Sequence, residues 1–319
     1  MTTLVTGAAG FIGFHLADRL LGQGEPVIGI DNFTPYYALQ LKEDRITELQ
    51  RRHGERFTLL RTDFADYSAL KAALEPFAFD RIAHLGAQPG VRYSIENPHA
   101  YAHSNLTGHL NLLEVARARA VPMVYASSSS VYGGNTKLPF SETDPVDHPI
   151  SLYAATKRSN ELMSETYAHL YGIPLTGLRF FTVYGPWGRP DMAPWLFSEA
   201  ILTGKPITLF NSGRMRRDFT YIDDIIDGVA AALERPAPGH RIYNLGNSRS
   251  EELEHFVEVI ERACDRPAKR LTAPMQAGDV SDTFADIAAA RADLGFFPRT
   301  TIEQGMAVFV EWLRGRLAV

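Results

Sequence analysis

The run Val5-Thr6-Gly7-Ala8-Ala9-Gly10-Phe11-Ile12-Gly13 lies where a short apolar strand, Thr3 to Thr6, gives way to an amphipathic helical pattern from Phe11 to Gln23. Glycines at such a junction permit a tight turn, close approach of the backbone to a pyrophosphate, and close packing of helix on strand. The helix N-terminus adds unpaired N–H groups and a partial positive charge. A glycine triplet alone is weak evidence, but the second strand, Pro26 to Asp31, ends in an acid at about the spacing an acidic ribose ligand needs. The Asp31 carboxylate can accept from a ribose 2′-hydroxyl and would repel a 2′-phosphate, which predicts NAD rather than NADP. Asp63 and Phe64, after the third strand, are placed to meet an adenine; the alternative for Asp63 is a loop acid capping the next helix.

Outward from this turn, apolar runs alternate with helical patterns. Phe57 to Arg61, Arg81 to Leu85, Met123 to Ser127 and Leu175 to Phe180 read as strands. Leu39 to Arg52, Pro98 to Arg119 and Ser151 to Tyr171 read as helices. This alternation predicts an α/β fold with a doubly wound parallel sheet of Rossmann type. Residues 1–180 are assigned to it and 181–319 mainly to a smaller C-terminal substrate-binding lobe. After Thr182 the chain turns Pro- and Gly-rich, with helices near Ala193 to Thr203, Asp224 to Leu233, Glu251 to Ala263 and Ile302 to Arg314. Residues 216–247 are expected to return in part to the main sheet, through a strand at Arg241 to Leu245.

The 319 residues are 45% hydrophobic and 22% charged, with a net charge of −5, which gives no general reason to bind nucleic acid or an anionic membrane. Any bound anion must be held by local groups, of which Arg214, Arg216 and Arg217 are candidates. The apolar run at the N-terminus is broken by glycines and His15 and lacks a basic flank, so it does not read as a signal peptide. No apolar stretch is long enough to cross a bilayer. The single Cys264 is assigned to packing, and the expected location is cytoplasmic. His99 and His103 share a helical spacing but lack further ligands nearby, so no metal is expected; Trp187 is assigned to packing.

In Ser151-Leu152-Tyr153-Ala154-Ala155-Thr156-Lys157, a tyrosine and a lysine lie four apart and share one helix face. A phenol with a free pKa of about 10 is a poor base at neutral pH, and a nearby ammonium and the positive nicotinamide ring are expected to favour the phenolate. Upstream, Val124-Tyr125-Ala126-Ser127-Ser128-Ser129-Ser130-Val131-Tyr132-Gly133 reads as a strand whose carboxyl end brings a row of hydroxyls to the same cleft.

With these motifs the chain resembles the extended short-chain dehydrogenase/reductases, and among them the UDP-glucuronate 4-epimerases. The resemblance extends over nearly the whole chain and includes Gly90-Val91-Arg92-Tyr93-Ser94, the run from Arg179 to Met192, and Arg217-Asp218-Phe219-Thr220-Tyr221-Ile222-Asp223-Asp224. Two positions depart from the family pattern, Gly86 where alanine is commoner and Pro89 in the following loop. They put local loop shape in doubt.

The resemblance implies that Tyr153, as phenolate, takes the proton of the sugar O4, that Ser128 shares that hydrogen bond, and that Lys157 holds the nicotinamide ribose and tunes Tyr153. It implies cofactor contacts at Gly7, Gly10, Phe11, Ile12, Gly13, Asp31, Asn32, Asp63, Phe64 and Leu85. On the substrate side it implies Arg217 at the diphosphate, with Gln276 and Asp279 near the uridine. Arg92 is placed near the diphosphate or carboxylate, or in a loop salt bridge. Asp218 and Asp223 are expected to orient backbone or cap a helix. Members of the family are commonly homodimers, paired through the helices near 98–119 and 151–171.

Related dehydratases carry Thr-Asp-Glu where this chain has Ser128, Ser129 and Ser130, and decarboxylases place a glutamate there. Serines do not titrate near neutrality, which favours simple oxidation and reduction. An oxidised uronate is a β-keto acid that loses CO₂ when its carboxylate bond aligns with the carbonyl. Arg189, with Thr182 and Ser130, is the candidate clamp against this, unless Arg189 merely pairs with a surface acid. The expected activity is thus 4-epimerisation of UDP-glucuronic acid to UDP-galacturonic acid. A neutral-sugar UDP-galactose-type epimerase, a UDP-glucuronate decarboxylase and a non-catalytic NAD-binding protein are the alternatives.

Overall fold

The computed structural model describes residues 1–275 and 280–318. Strands β1 (Thr3–Thr6), β2 (Val27–Ile30), β3 (Phe57–Leu60), β4 (Arg81–His84), β5 (Met123–Ser128) and β6 (Leu175–Phe180) join His240–Leu245 in one seven-stranded sheet. Its order is His240–Leu245, β6, β5, β4, β1, β2, β3, and every neighbouring pair is parallel. Such strands are buried on both faces, and alternate residues serve opposite layers. Leu4, Ile28, Ile82, Met123 and Leu175 enter one apolar cluster, while Val5, Ala83, Val124 and Leu178 enter the other. Strand order reverses at β1 and β4, so a crevice opens there beyond the carboxyl ends of the strands.

The chain after Phe180 alternates between this sheet and a smaller lobe. Helices Ala193–Leu202, Leu253–Cys264 and Ile302–Leu317 pack on one another. Beside them, Pro206–Phe210 pairs in parallel with Lys269–Ala273. Between these pieces, helix Ile222–Glu234 lies against β4, β5 and helix Phe11–Gly22, and strand His240–Leu245 completes the sheet edge at β6. Trp187 packs against Phe14 of the sheet-covering helix and Trp312 of the lobe, with ring centroids 5.3 and 5.4 Å apart. Cys264 is buried in the core.

Two helices differ from the periodicity. Glu251–Glu252 pairs antiparallel with Arg216–Arg217, which delays the following helix to Leu253. The span from Pro98 to Arg119 divides into Pro98–Tyr101, a wide turn of π type at Ala102–Thr107, and Gly108–Arg119. A π turn carries a locally widened hydrogen-bond spacing, often at functional sites. Here the Asn105 carbonyl accepts from Asn160 Nδ2 at 2.6 Å, while its side chain donates to Gln88 O and Thr156 Oγ1, each at 3.1 Å. The wide turn thus ties the loop after β4 to the helix Leu152–Tyr171.

Candidate active site

A cleft of about 700 Å³ runs along the carboxyl ends of the strands and is lined by both lobes. At one end sits the glycine turn. Gly7 has a φ of 69°, and a Cβ there would fall 2.7 Å from Gly86 Cα. A Cβ on Gly13 would come within 2.1 Å of the Gly7 carbonyl oxygen, so helix and turn approach as only glycine permits. Gly10 occupies the N-cap without a side chain, which leaves the first amides of helix Phe11–Gly22 facing the cleft beside Phe11 and Ile12. This uncapped cradle fits a dinucleotide pyrophosphate.

Asp31, at the end of β2, accepts from Ala9 N at 3.2 Å and Phe33 N at 2.8 Å, and its carboxylate pairs with Lys42 Nζ at 3.2 Å. Lys42, which the sequence reading did not single out, lines the cleft from helix Leu39–His53. Asn32 lines it too, its side chain accepting from Thr34 Oγ1 at 2.9 Å.

Asp63 does not cap the next helix. Asp66 does so, accepting from Ala69 N at 3.0 Å, whereas Asp63 accepts from Ala65 N at 2.8 Å and pairs with His103 Nε2 at 3.0 Å. Among the described residues no group of three or more His, Cys, Asp or Glu side chains gathers at a metal-binding spacing.

The departure at Gly86 has a physical reason. A Cβ there would lie 2.7 Å from the Phe64 ring, so the glycine makes room for an aromatic beside Leu85 at the cleft wall. The Pro89 loop is held by Tyr101, whose hydroxyl donates to Pro89 O at 2.7 Å.

The serine row divides its hydroxyls between core and cleft. Ser127 donates to Glu161 Oε1 at 2.7 Å, and Glu161 is held by Arg179 through two bonds of 2.8 and 2.9 Å. Alternation along β5 therefore turns Ser128 towards the cleft. Ser128 Oγ accepts from Ser130 N and donates to Ser130 Oγ, each at 3.2 Å, which starts the tight turn Ser129–Tyr132.

Ser151 caps helix Leu152–Tyr171 by accepting from Ala154 N at 3.1 Å, and this helix brings Tyr153 and Lys157 to the same wall. Lys157 is buried, which pulls its pKa down to about 8, and its Nζ donates to Ala126 O at 2.8 Å. Burial pushes the Tyr153 phenol above its usual range, against the opposing hydrogen bond of Ser128 and charge of Arg189. Among the protein's own groups desolvation outweighs both, and the favourable charge on the phenol comes from Arg189.

Arg189 lines the cleft beside Tyr36, but its guanidinium is already engaged. Nε lies 3.0 Å from Asp191 Oδ1 and Nη2 meets Asp191 Oδ2, while the Tyr36 hydroxyl donates to the same Oδ2 at 2.9 Å. Arg189 does pair with an acid, but that acid lines the cleft with it rather than lying apart on the surface. Thr182 stands half-buried at the cleft edge, its N donating to Asp218 O at 3.1 Å. Arg92 lies over the Phe210 ring, 5.2 Å from its centroid. Arg217 donates to Val280 O at 2.6 Å and Ser281 O at 2.8 Å. Gln276 and Asp279 lie outside the described residues.

Asp218 orients backbone, accepting from Asn247 N at 2.6 Å and Ala285 N at 3.1 Å, and Asp223 stands in the first turn of helix Ile222–Glu234. Behind the site, the fully buried Arg45 donates to Ala9 O at 2.8 Å and Gly188 O at 3.2 Å, joining the glycine turn to the loop that carries Arg189. Its only sequence signal was a basic residue on the inner face of a helix.

Residues 3–246 match the model of the NAD dependent epimerase/dehydratase family. The chain belongs to this family. A protein of Rhizobium meliloti named "Probable UDP-glucuronate 4-epimerase" is 48% identical over 332 residues, covering 98% of this chain and 96% of its own. Among solved structures, the UDP-glucuronic acid 4-epimerase of Bacillus cereus, in complex with UDP-glucuronic acid and NAD, superposes with a TM-score of 0.91 at 34% identity, covering 99% of this chain and all of the other. The UDP-glucose 4-epimerase of Thermotoga maritima, with UDP-glucose, gives a TM-score of 0.90 at 29% identity over 99% of this chain. Among the described residues no helix is long and apolar enough to cross a membrane.

Proposed function

We propose that this member of the family converts UDP-glucuronic acid to UDP-galacturonic acid, with NAD as a resident cofactor. The observation that carries the proposal is that one cleft joins the uncapped glycine turn and Asp31 to Ser128, Tyr153 and Arg189. The full-length similarity to an enzyme crystallised with UDP-glucuronic acid and NAD supports it.

Gly7, Gly10, Gly13 and the helix amides would hold the pyrophosphate, and Asp31 with Lys42 the adenosine ribose. Bound NAD supplies a two-electron acceptor and donor at C4 of the sugar. Tyr153 accepts the proton of O4 during oxidation and returns it during reduction, so no external acid is needed. Ser128 donates a hydrogen bond to O4 in both directions. Lys157, anchored on the Ala126 carbonyl, stands where it meets a ribose and adds positive charge once protonated. Inversion requires the oxidised sugar to turn about its diphosphate, which Arg217 and Arg92 hold. Arg189, Thr182 and Ser130 keep the carboxylate out of line with the new carbonyl, so that CO₂ is retained.

Incubation with UDP-glucuronic acid, followed by NMR of the products and collection of CO₂, tests the proposal. UDP-galacturonic acid without CO₂ is expected. Conversion of UDP-glucose alone, or CO₂ as the main product, would replace it with a neutral-sugar epimerase or a decarboxylase.

The proposal includes a homodimer and a cytoplasmic location. Leu110, Leu162 and Leu170, on the two helices through which such enzymes pair, are exposed, and the lone cysteine fits a reducing compartment.

A further inference from the structure

Arg189 is half-buried at the cleft wall and paired there. Asp191 takes the Nε–Nη2 edge of the guanidinium in a two-point fork, which fixes the plane of the Arg189 head group. Tyr36 fixes Asp191 from the other side through its hydroxyl, and Arg189 lies 5.8 Å from the Tyr36 ring centroid. Tyr36 belongs to the loop that directly follows Asp31 and Asn32, and it packs on Tyr93 with ring centroids 4.9 Å apart. Gly90 makes space for it, since a Cβ there would fall 2.5 Å from the Tyr36 oxygen. Loops from the cofactor side and the substrate side thus meet at one ion pair, and the loop beyond β4 backs Tyr36.

We propose that Asp191 is a resident carboxylate that keeps Arg189 from binding the substrate's uronate too tightly and in the wrong plane, and that Tyr36 holds Asp191 in that position. The inference rests on the proposed uronate substrate. A uronate arriving at Arg189 meets the remaining Nη1–Nη2 edge, whose direction is set by the pair with Asp191, and a charge already half-balanced. It is steered without being gripped, and its plane is set by a group that does not rotate. Asp191 and Tyr36 are accordingly positioning residues, acting through Arg189.

If Asp191 loses its charge, the positive charge of Arg189 is no longer balanced and its guanidinium is free to reorient towards the substrate. Ground-state binding then tightens while orientation at C5 is lost. In the 4-keto form the C5–C6 bond breaks, its electron pair passes into the enolate of the C4 carbonyl, CO₂ departs, and solvent supplies a proton to C5. Tighter binding combined with slower epimerisation and CO₂ release is a signature that simple damage to the fold does not produce.

The test uses the NAD-loaded chain, titrated calorimetrically with UDP-glucuronic acid and with UDP-glucose, together with product analysis. For Asp191→Asn, affinity for UDP-glucuronic acid should rise by roughly tenfold, the effect of about 1.4 kcal/mol. Affinity for UDP-glucose should not change, while epimerisation slows and CO₂ appears. Tyr36→Phe keeps the charges, so it should release CO₂ without tightening binding. Weaker binding of both sugars to Asp191→Asn, or a CO₂ yield unchanged in both variants, overturns the positioning role even if the wild-type chain epimerises UDP-glucuronic acid. A wild-type chain that leaves that substrate unconverted overturns both the role and the function it rests on.

Discussion

For Tyr153 in the proposed role of base, two demands conflict: a general base must be ionised to accept a proton, yet burial in the cleft wall favours the neutral phenol. Ser128 and Arg189 work against burial, and a protonated Lys157 beside bound cofactor adds to them. Removing the phenol oxygen in Tyr153→Phe should lower kcat by about 10²–10⁴-fold. The bound dinucleotide should remain, as read from its absorbance after gel filtration; near-normal turnover would reject the assignment. Arg189→Ala should cost turnover of UDP-glucuronic acid far more than that of UDP-glucose, measured as the ratio of their kcat/KM values. Equal losses would reject the carboxylate contact. The side chains that meet at the cleft wall were legible because Tyr153, Lys157 and the serines form local patterns. Asp191 and Tyr36 were not, because their partnership spans distant loops. The direction of the Tyr153 shift was also hidden, since it depends on burial and on where the Lys157 ammonium points.

Among the elements, the glycine turn makes the sharpest stereochemical demand. Gly13→Ala places a methyl 2.1 Å from the Gly7 carbonyl, in backbone that cannot yield without moving the helix. Such overpacking costs about 1–3 kcal/mol, so thermal unfolding should come earlier and copurified NAD should be lost; wild-type retention of NAD would contradict the cradle. A second prediction concerns Asp218, which joins the strand Phe219–Tyr221 to residues Asn247 and Ala285. Burial raises its pKa from 3.8 to about 7, despite opposing backbone hydrogen bonds. The folded state therefore holds this proton more tightly than the unfolded one. Its favourable contribution is full below 3.8 and is lost as pH climbs through about 7. Unfolding curves at several pH values should show the wild type losing stability relative to Asp218→Asn over that window, and parallel curves would refute it. The strands β1 and β6 were readable to the residue from apolar runs bounded by turns. The π turn at Ala102–Thr107 and the late start of helix Leu253–Cys264 were not, because each depends on a distant partner, Asn160 in one case and Arg216–Arg217 in the other.

For the whole molecule, a parallel sheet places every strand's carboxyl end on one edge, and the smaller lobe closes over that edge to make a single cleft. The sequence revealed the alternation that dictates this sheet, but not how the later chain interleaves, with helix Ile222–Glu234 on the sheet and its neighbours in the lobe. Light scattering on the purified chain should give twice its 35.4 kDa mass. Leu162→Glu, on the exposed face of helix Leu152–Tyr171, should halve the mass observed; a monomeric wild type would contradict the pairing. The central claim is that one hydrogen leaves C4 of the sugar and returns to the same carbon on its other face. UDP-glucuronic acid deuterated at C4 tests this most directly, with the product followed by NMR. UDP-galacturonic acid that keeps its deuterium at C4 is the predicted result. Inverted product carrying protium at C4, or no inversion while NAD stays bound, would contradict it.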